Sequence, residues 1–321
     1  MQAVSFPGPG CVEIVDIPRP SLIEPSDAIV LVTTAAIGPW DIERFESIGS
    51  EQVVPGGEFA GIIVEIGSEV RTVELDDLVC NTAHLVNRKG HSRVFGTTSV
   101  AGGHAEYVRV PNADAALVKI SDSVEERVVL AGGTIGLGIN AAAVALQEDS
   151  GASYAVVGCD PIGVSALIGI KNSGHNDNLI AVDDHAARRT LAGKYAEEAY
   201  SGSDDLANAT SDIVMVGAMC DFNRPDLIAQ LVKPDGTIVF AEPYGPSRIV
   251  TAGTNLPEGV KIMAASWPNK DDVRKIVSAI QIRQLDLTPI VSHVIPLDEA
   301  LDAYKAASGP EAGVQKVLLK P

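Results

Sequence analysis

Residues Tyr154 to His185, YAVVGCDPIGVSALIGIKNSGHNDNLIAVDDH, constrain the fold of this chain more than any other stretch. The apolar run Ala155 to Val157 is rich in β-branched residues and stops at Gly158, as a strand buried on both faces does. A glycine-bearing turn follows, Gly158-Cys159-Asp160-Pro161-Ile162-Gly163. From Val164 to Lys171 the apolar residues fall at helical spacing, and Gly174 stands where a helix stops. A second apolar run, Leu179 to Val182, ends on Asp183. Strand, glycine turn, helix, strand and terminal acid together predict half of a dinucleotide-binding βαβ unit.

The chemistry behind that prediction is phosphate binding. The first turn of a helix leaves backbone N–H groups without partners and carries the positive end of the helix dipole, so a pyrophosphate there is hydrogen-bonded and electrostatically favoured. Gly158 suits the tight turn, Gly163 lets the helix pack on the strand, and Asp183 can accept from the adenosine ribose hydroxyls. A carboxylate in that place favours NAD over NADP, whose 2′-phosphate it would face. One position breaks the pattern. The middle glycine of G-x-G-x-x-G is Asp160, and Asp160-Pro161 also reads as an N-cap followed by proline at the first helical position. That reading places a carboxylate where the diphosphate belongs.

A chain of 321 residues suits two domains. Its 46% hydrophobic content and 30 glycines suit a soluble α/β protein. Acidic residues outnumber basic ones by 42 to 24, a net charge of −18 that argues against nucleic acid and anionic membrane surfaces as partners. Solubility, or adaptation to a salty cytoplasm, accounts for such a surface. No run of about 18 apolar residues is present to span a bilayer. The N-terminal MQAVSFPGPG has neither the charged nor the apolar region of an export signal. Four scattered cysteines, Cys11, Cys80, Cys159 and Cys220, fit a reducing cytoplasm, and no pair has zinc spacing.

In chain order, the first third reads as all-β. Short strands such as Ala28 to Ala35, Ile62 to Val64 and Ala105 to Val110 alternate with Pro/Gly turns, as in a small irregular barrel. Near Ser121 the pattern changes, and from Ser123 to Gln147 the helical pattern dominates, with a close-packing run from Ala141 to Ala145. After the βαβ unit come a strand at Ile213 to Val216, a helix around Arg224 to Val232 and a strand at Thr237 to Ala241. A helix from Leu297 to Ala307 and a strand from Lys316 to Leu319 close the chain. Strands alternating with helices predict a doubly wound parallel sheet.

These parts in this order resemble the medium-chain dehydrogenase/reductase superfamily. The likeness is carried by PGGEFAGIIVEIGSEV (Pro55 to Val70), GGHAEYVRVP (Gly102 to Pro111), the βαβ unit, LVKPDGTIVFAEP (Leu231 to Pro243) and IVSHVIPLDEALDAYK (Ile290 to Lys305). The resemblance implies an α/β fold: an irregular, GroES-like β-barrel catalytic domain at 1–133 and 267–321, interrupted by a Rossmann coenzyme domain at 134–266. Substrate would sit in the cleft between them. It also implies a homodimer paired through coenzyme domains.

In the zinc-dependent branch of that family a Cys, a His and a Cys or Glu hold the metal and leave one position open. The matching positions here are Gly38, Gly57 and Ala131, or Gly132 if the register slips by one, and none carries a donor. The four-cysteine structural-zinc lobe is reduced to Cys80. Glu58 remains where the family keeps an acid. Gly38-Pro39-Trp40-Asp41 also resembles the N-P-x-D turn of zinc-free quinone oxidoreductases, with Gly38 in place of Asn. The resemblance therefore implies a zinc-independent enzyme.

Without zinc, a carbonyl needs another electrophile or proton donor. By the resemblance Trp40 and Glu43 stand where the zinc branch has its proton-relay hydroxyl and histidine, Asp41 lies between them, and these three are the candidate catalytic residues. Each also has a plainer role open to it: Trp40 as a pocket wall, Asp41 as a turn holder, Glu43 as a solvated residue. His84 and His104 are further candidates in the barrel. Phe45, Ile48, Phe95 and Leu137 suggest an apolar pocket lining. Besides Gly158, Asp160, Pro161, Ile162, Gly163 and Asp183, the resemblance implies coenzyme contacts at Arg188 beside the ribose, at Ala218 and Ala241 near the nicotinamide amide, and at Lys316 on the pyrophosphate or paired with Asp160. Two functions stay open: an NAD(H)-preferring oxidoreductase acting on an alcohol, ketone or conjugated enone, or a silent family member serving as a binding or regulatory subunit.

Overall fold

The computed structural model describes residues 1–47, 53–86, 92–121, 125–174, 178–204, 206, 209–217, 225–241, 255–309 and 315–321. The chain divides into two compact units, Met1–Gly133 with Pro268–Pro321, and Thr134–Trp267.

The first unit is built on a seven-stranded sheet. The strand Ala28–Ala36 is its hub, pairing antiparallel with Glu58–Ile66, Tyr107–Val110 and Lys316–Lys320. Leu78–Asn81 and Leu117–Lys119 extend the sheet on one side, and Val291–Pro296 runs parallel to Lys316–Lys320 on the other. Alternate residues of the hub and its neighbour, Val30, Val32, Phe59 and Ile63, point into a core shared with Val79, Phe95 and Val108. Phe45 and Phe95 belong to packed aromatic groups, Phe45 against Phe6 and Tyr304 and Phe95 edge-on to Phe59 at 5.1 Å. Both are core residues of this unit, and Ile48 lies outside the described residues.

Two elements differ from the sequence pattern. The helical stretch over 123–147 comes as two helices, Glu125–Val128 and Thr134–Glu148, with a break the periodicity does not mark. At the break the chain runs close against its neighbours: a Cβ on Gly132 would lie 1.9 Å from the Asn81 carbonyl and one on Gly133 2.6 Å from Glu58 Oε1. The helix Lys270–Gln281 was not expected, yet it carries a full capping box. The Asn269 side chain accepts from Asp271 and Asp272 N–H, and Asp272 accepts from Asn269 N–H.

The second unit holds six parallel strands. Counted along the chain, their spatial order is 3-2-1-4-5-6: Glu198–Tyr200, Leu179–Val182, Tyr154–Val157, Ser211–Val216, Val232–Phe240 and Lys261–Ala264. This is the doubly wound α/β sheet, and its order reverses between Tyr154–Val157 and Ser211–Val216. The helix Pro161–Asn172 follows the first of these strands, with Val164, Leu167 and Ile168 buried and Gly174 at φ +85° past its end. It packs on Thr134–Glu148 through small residues, Gly169 against Ala142. Among the described residues no helix is long and apolar enough to cross a membrane.

Candidate active site

The glycine turn of the second unit lies at the carboxyl end of the sheet, at the point of strand reversal where open α/β sheets take ligands. Gly158 adopts φ +84°, which only glycine enters freely, and turns the chain sharply out of the strand. A Cβ on Gly163 would lie 1.9 Å from the Gly158 carbonyl, so helix and strand approach this closely only because position 163 has no side chain.

Asp183 ends the next strand and is nearly buried. Its Oδ2 accepts from Cys159 N–H at 2.7 Å and its Oδ1 from His185 N–H at 2.7 Å. Arg188 Nη1 stands 3.9 Å from Asp183 Oδ2, at the limit of an ion pair. Its neighbour Arg189, which the sequence pattern did not single out, donates to the Asp183 carbonyl at 2.7 Å. Ala241 is buried after its strand, with its N–H donating to the Val216 carbonyl. Ala218 lies outside the described residues.

Asp160 is fully buried and caps the helix. Its Oδ1 accepts from Ile162 N–H at 2.8 Å and from Gly163 N–H at 2.9 Å, and Pro161 has no N–H to offer. The cradle therefore fits a dinucleotide at its adenosine side, where the turn, the close packing and a carboxylate after the second strand are present. At its diphosphate side it does not, because the chain's own carboxylate holds the helix donors.

In the first unit the metal-ligand positions of the zinc-dependent branch can be tested on their chemistry. Gly38, Gly57 and Ala131 carry no donor atom. A Cβ on Gly38 would lie 3.3 Å from Asp41 Oδ2 and 3.5 Å from the Trp40 indole, so those two side chains already flank the place of a ligand. Glu58, the remaining acid, has Oε2 2.7 Å from Lys316 Nζ, with both side chains only 2% exposed. This donor set does not fit a zinc ion held by Cys, His and Cys or Glu. The Lys316 ammonium, expected on the pyrophosphate or paired with Asp160, makes this ion pair with Glu58 inside the β-rich unit.

The three candidate catalytic residues separate. They sit on the helix Pro39–Ser47. Asp41 is buried, with Oδ2 accepting from Gly38 N–H at 2.9 Å and Oδ1 from Gly56 N–H at 2.8 Å. Both oxygens act as acceptors, so Asp41 ties two loops together; it is placed as a turn holder and not as a proton donor. Glu43 is exposed, and Trp40 is half-buried beside Gly38.

His104 is fully buried and bridges this region to the C-terminal segment. Nε2 lies 3.2 Å from the Ala36 carbonyl, which only accepts, so this nitrogen carries the proton. Nδ1 then accepts from the Tyr304 hydroxyl at 2.8 Å. Burial holds the imidazole below its ordinary pKa, partly opposed by the Asp41 charge. Burial, with Asp41 adding to it, pushes the Tyr304 phenol well above its ordinary value. Tyr304 is a residue that sequence reasoning missed, because its partner lies 200 positions away. His84, the other candidate, bonds Ser92 in a surface ribbon. Burial also pushes the Cys80 thiol up to about 12, an inert group.

A groove of about 450 Å³ opens at the opposite, amino-terminal edge of the parallel sheet, lined in part by Ser153, Asp212 and Lys233. Ser153 Oγ donates to Asp212 at 2.6 Å and Lys233 Nζ lies 3.0 Å from the same carboxylate. These groups satisfy one another, and the edge is the one such sheets do not use for ligands.

Residues 24–122 match the family model of the alcohol dehydrogenase GroES-like domain. Over its full length the chain is 27% identical to zinc-type alcohol dehydrogenase B of Aspergillus flavus, covering 81% of that protein. It is 28% identical to a "probable zinc-binding alcohol dehydrogenase" of Mycobacterium tuberculosis, again over its full length and 89% of that protein. Its fold matches that of an alcohol dehydrogenase from Thermus sp. ATN1 with a TM-score of 0.79 at 22% identity, covering 100% of this chain and 99% of the other.

Proposed function

We propose that this chain, which is alcohol dehydrogenase-like and of the medium-chain dehydrogenase/reductase type, is a zinc-independent oxidoreductase that prefers NAD(H) to NADP(H). Its reaction is hydride transfer between the nicotinamide and an alcohol, ketone or conjugated enone. The observation that carries the reading is Asp183: a nearly buried carboxylate ends the second strand directly behind the Gly158 turn. A carboxylate there accepts from ribose hydroxyls and repels a 2′-phosphate. Zinc independence is supported by the donorless Gly38, Gly57 and Ala131 and by the commitment of Glu58 to Lys316. In the β-rich unit the half-buried Trp40 is a candidate, because an indole N–H is a group that can polarise a carbonyl.

A second reading, a silent family member acting as a binding or regulatory subunit, is favoured by one observation, the hold of Asp160 on Ile162 and Gly163 N–H. NADH fluorescence titration of protein treated with a chelator separates the two. Saturable binding, with NADH turnover on a panel of aldehydes, ketones and enones, supports the oxidoreductase. Turnover that disappears with the chelator and returns with zinc would sink zinc independence, and binding without turnover would favour the silent subunit.

A further inference from the structure

The amino end of the helix Pro161–Asn172 is where this chain and its coenzyme class disagree. A diphosphate at a helix start draws on the N–H groups of the first turn and the loop before it. Here the donors at 158, 159, 162 and 163 are already engaged. Gly158 N–H donates to the Val182 carbonyl at 2.8 Å and Cys159 N–H to Asp183 at 2.7 Å. Pro161 has no N–H, and Ile162 and Gly163 both donate to Asp160. The Asp160 carboxylate also lies close to Gly217, where a Cβ would stand 3.1 and 3.2 Å from its two oxygens, so position 217 leaves it room only by having no side chain. A carboxylate so placed has the charge of a phosphate oxygen and uses its hydrogen bonds.

We infer that Asp160 is a built-in occupant of the diphosphate position and the residue that governs nucleotide affinity. A dinucleotide gains Ile162 and Gly163 N–H only after the carboxylate turns out, so it binds against both occupancy and charge. The inference rests on the nucleotide reading above. Its two parts are separable. Asn at this position still caps the helix with a neutral oxygen, and Gly removes both cap and charge.

The test is NADH titration of the wild type, Asp160→Asn and Asp160→Gly, with thermal unfolding of each to establish that it is folded. The expected order of affinity is wild type weakest, Asp160→Asn tighter and Asp160→Gly tightest, by at least tenfold over wild type. A purely structural cap predicts the opposite sign, since its loss loosens the helix start and weakens binding. If Asp160→Gly does not fold, Asp160→Asn alone decides, by binding more tightly than wild type or not. Saturable NADH binding that neither variant tightens overturns the inference and leaves the nucleotide reading standing. No binding by any of the three proteins overturns both.

Discussion

Glu58 and Lys316 stand 258 positions apart and meet in the interior at 2.7 Å, each 2% exposed. Such a pair contributes little net stability against an apolar replacement, but losing one member strands the other charge away from water. Glu58→Gln is therefore expected to cost about 3–5 kcal/mol of unfolding free energy. The double variant Glu58→Gln with Lys316→Met should cost less than Glu58→Gln alone, because the buried ammonium that loses the Glu58 carboxylate is removed with it. Urea unfolding of wild type and variants measures both, and a double variant as unstable as the sum of the singles would remove the pairing from the argument. At this scale the sequence was readable where chemistry is local. Asp160 as an N-cap, the tight turn at Gly158 and the close approach at Gly163 follow from their neighbours in the chain. The partners of Lys316 and His104 were not readable, because Glu58 and Tyr304 lie some hundreds of positions away along the chain and only tertiary packing brings them in. Asp41 was ambiguous for a different reason: a carboxylate beside a turn can donate a proton or accept from amides, and only the positions of Gly38 and Gly56 N–H decide between these.

Elements were legible when their periodicity was uninterrupted and their ends were marked. The strand Ala28–Ala36 and the helix Pro161–Asn172 meet both conditions. The stretch from Ser123 to Gln147 kept a helical pattern through a break, since periodicity does not register the approach of Asn81 and Glu58 to Gly132 and Gly133. The helix Lys270–Gln281 shows the converse, for its start was written as Asn269 followed three positions later by Asp272. That reciprocal box can be tested. Asn269→Ala removes the acceptor for Asp271 and Asp272 N–H on an exposed surface and should cost about 1 kcal/mol, within the range for N-cap loss. Asn269→Gly should cost only a few tenths. Differential scanning calorimetry or urea midpoints of the two variants give the comparison; equal losses from Ala and Gly would mean that something other than capping holds this helix start.

The net charge of −18 belongs to the molecule as a whole, because 42 acidic residues face only 24 basic ones. Ion pairs such as Arg19 with Glu65, Arg274 with Asp271 and Lys261 with Glu148 neutralise some carboxylates, and they leave a surplus that no internal cation can match. Folding gathers that surplus onto a compact surface, so self-repulsion is greater in the folded state than in the expanded chain. Salt has two opposed effects here. It weakens the exposed pairs, each worth about 0–1 kcal/mol, and it shortens the reach of the repulsion from about 10 Å at 0.1 M to about 3 Å at 1 M. The repulsion is summed over many like charges at long range, where screening acts most, whereas the pairs act at about 3 Å, where it acts least. Stability is therefore expected to rise between about 0.1 and 1 M KCl, with an unfolding midpoint higher by at least about 3 °C. Thermal unfolding followed by circular dichroism across a KCl series reads this directly, with equal osmolarity of sucrose as the uncharged control. A midpoint that stays flat or falls in KCl would mean that the acidic surface serves solubility alone and does not strain the fold.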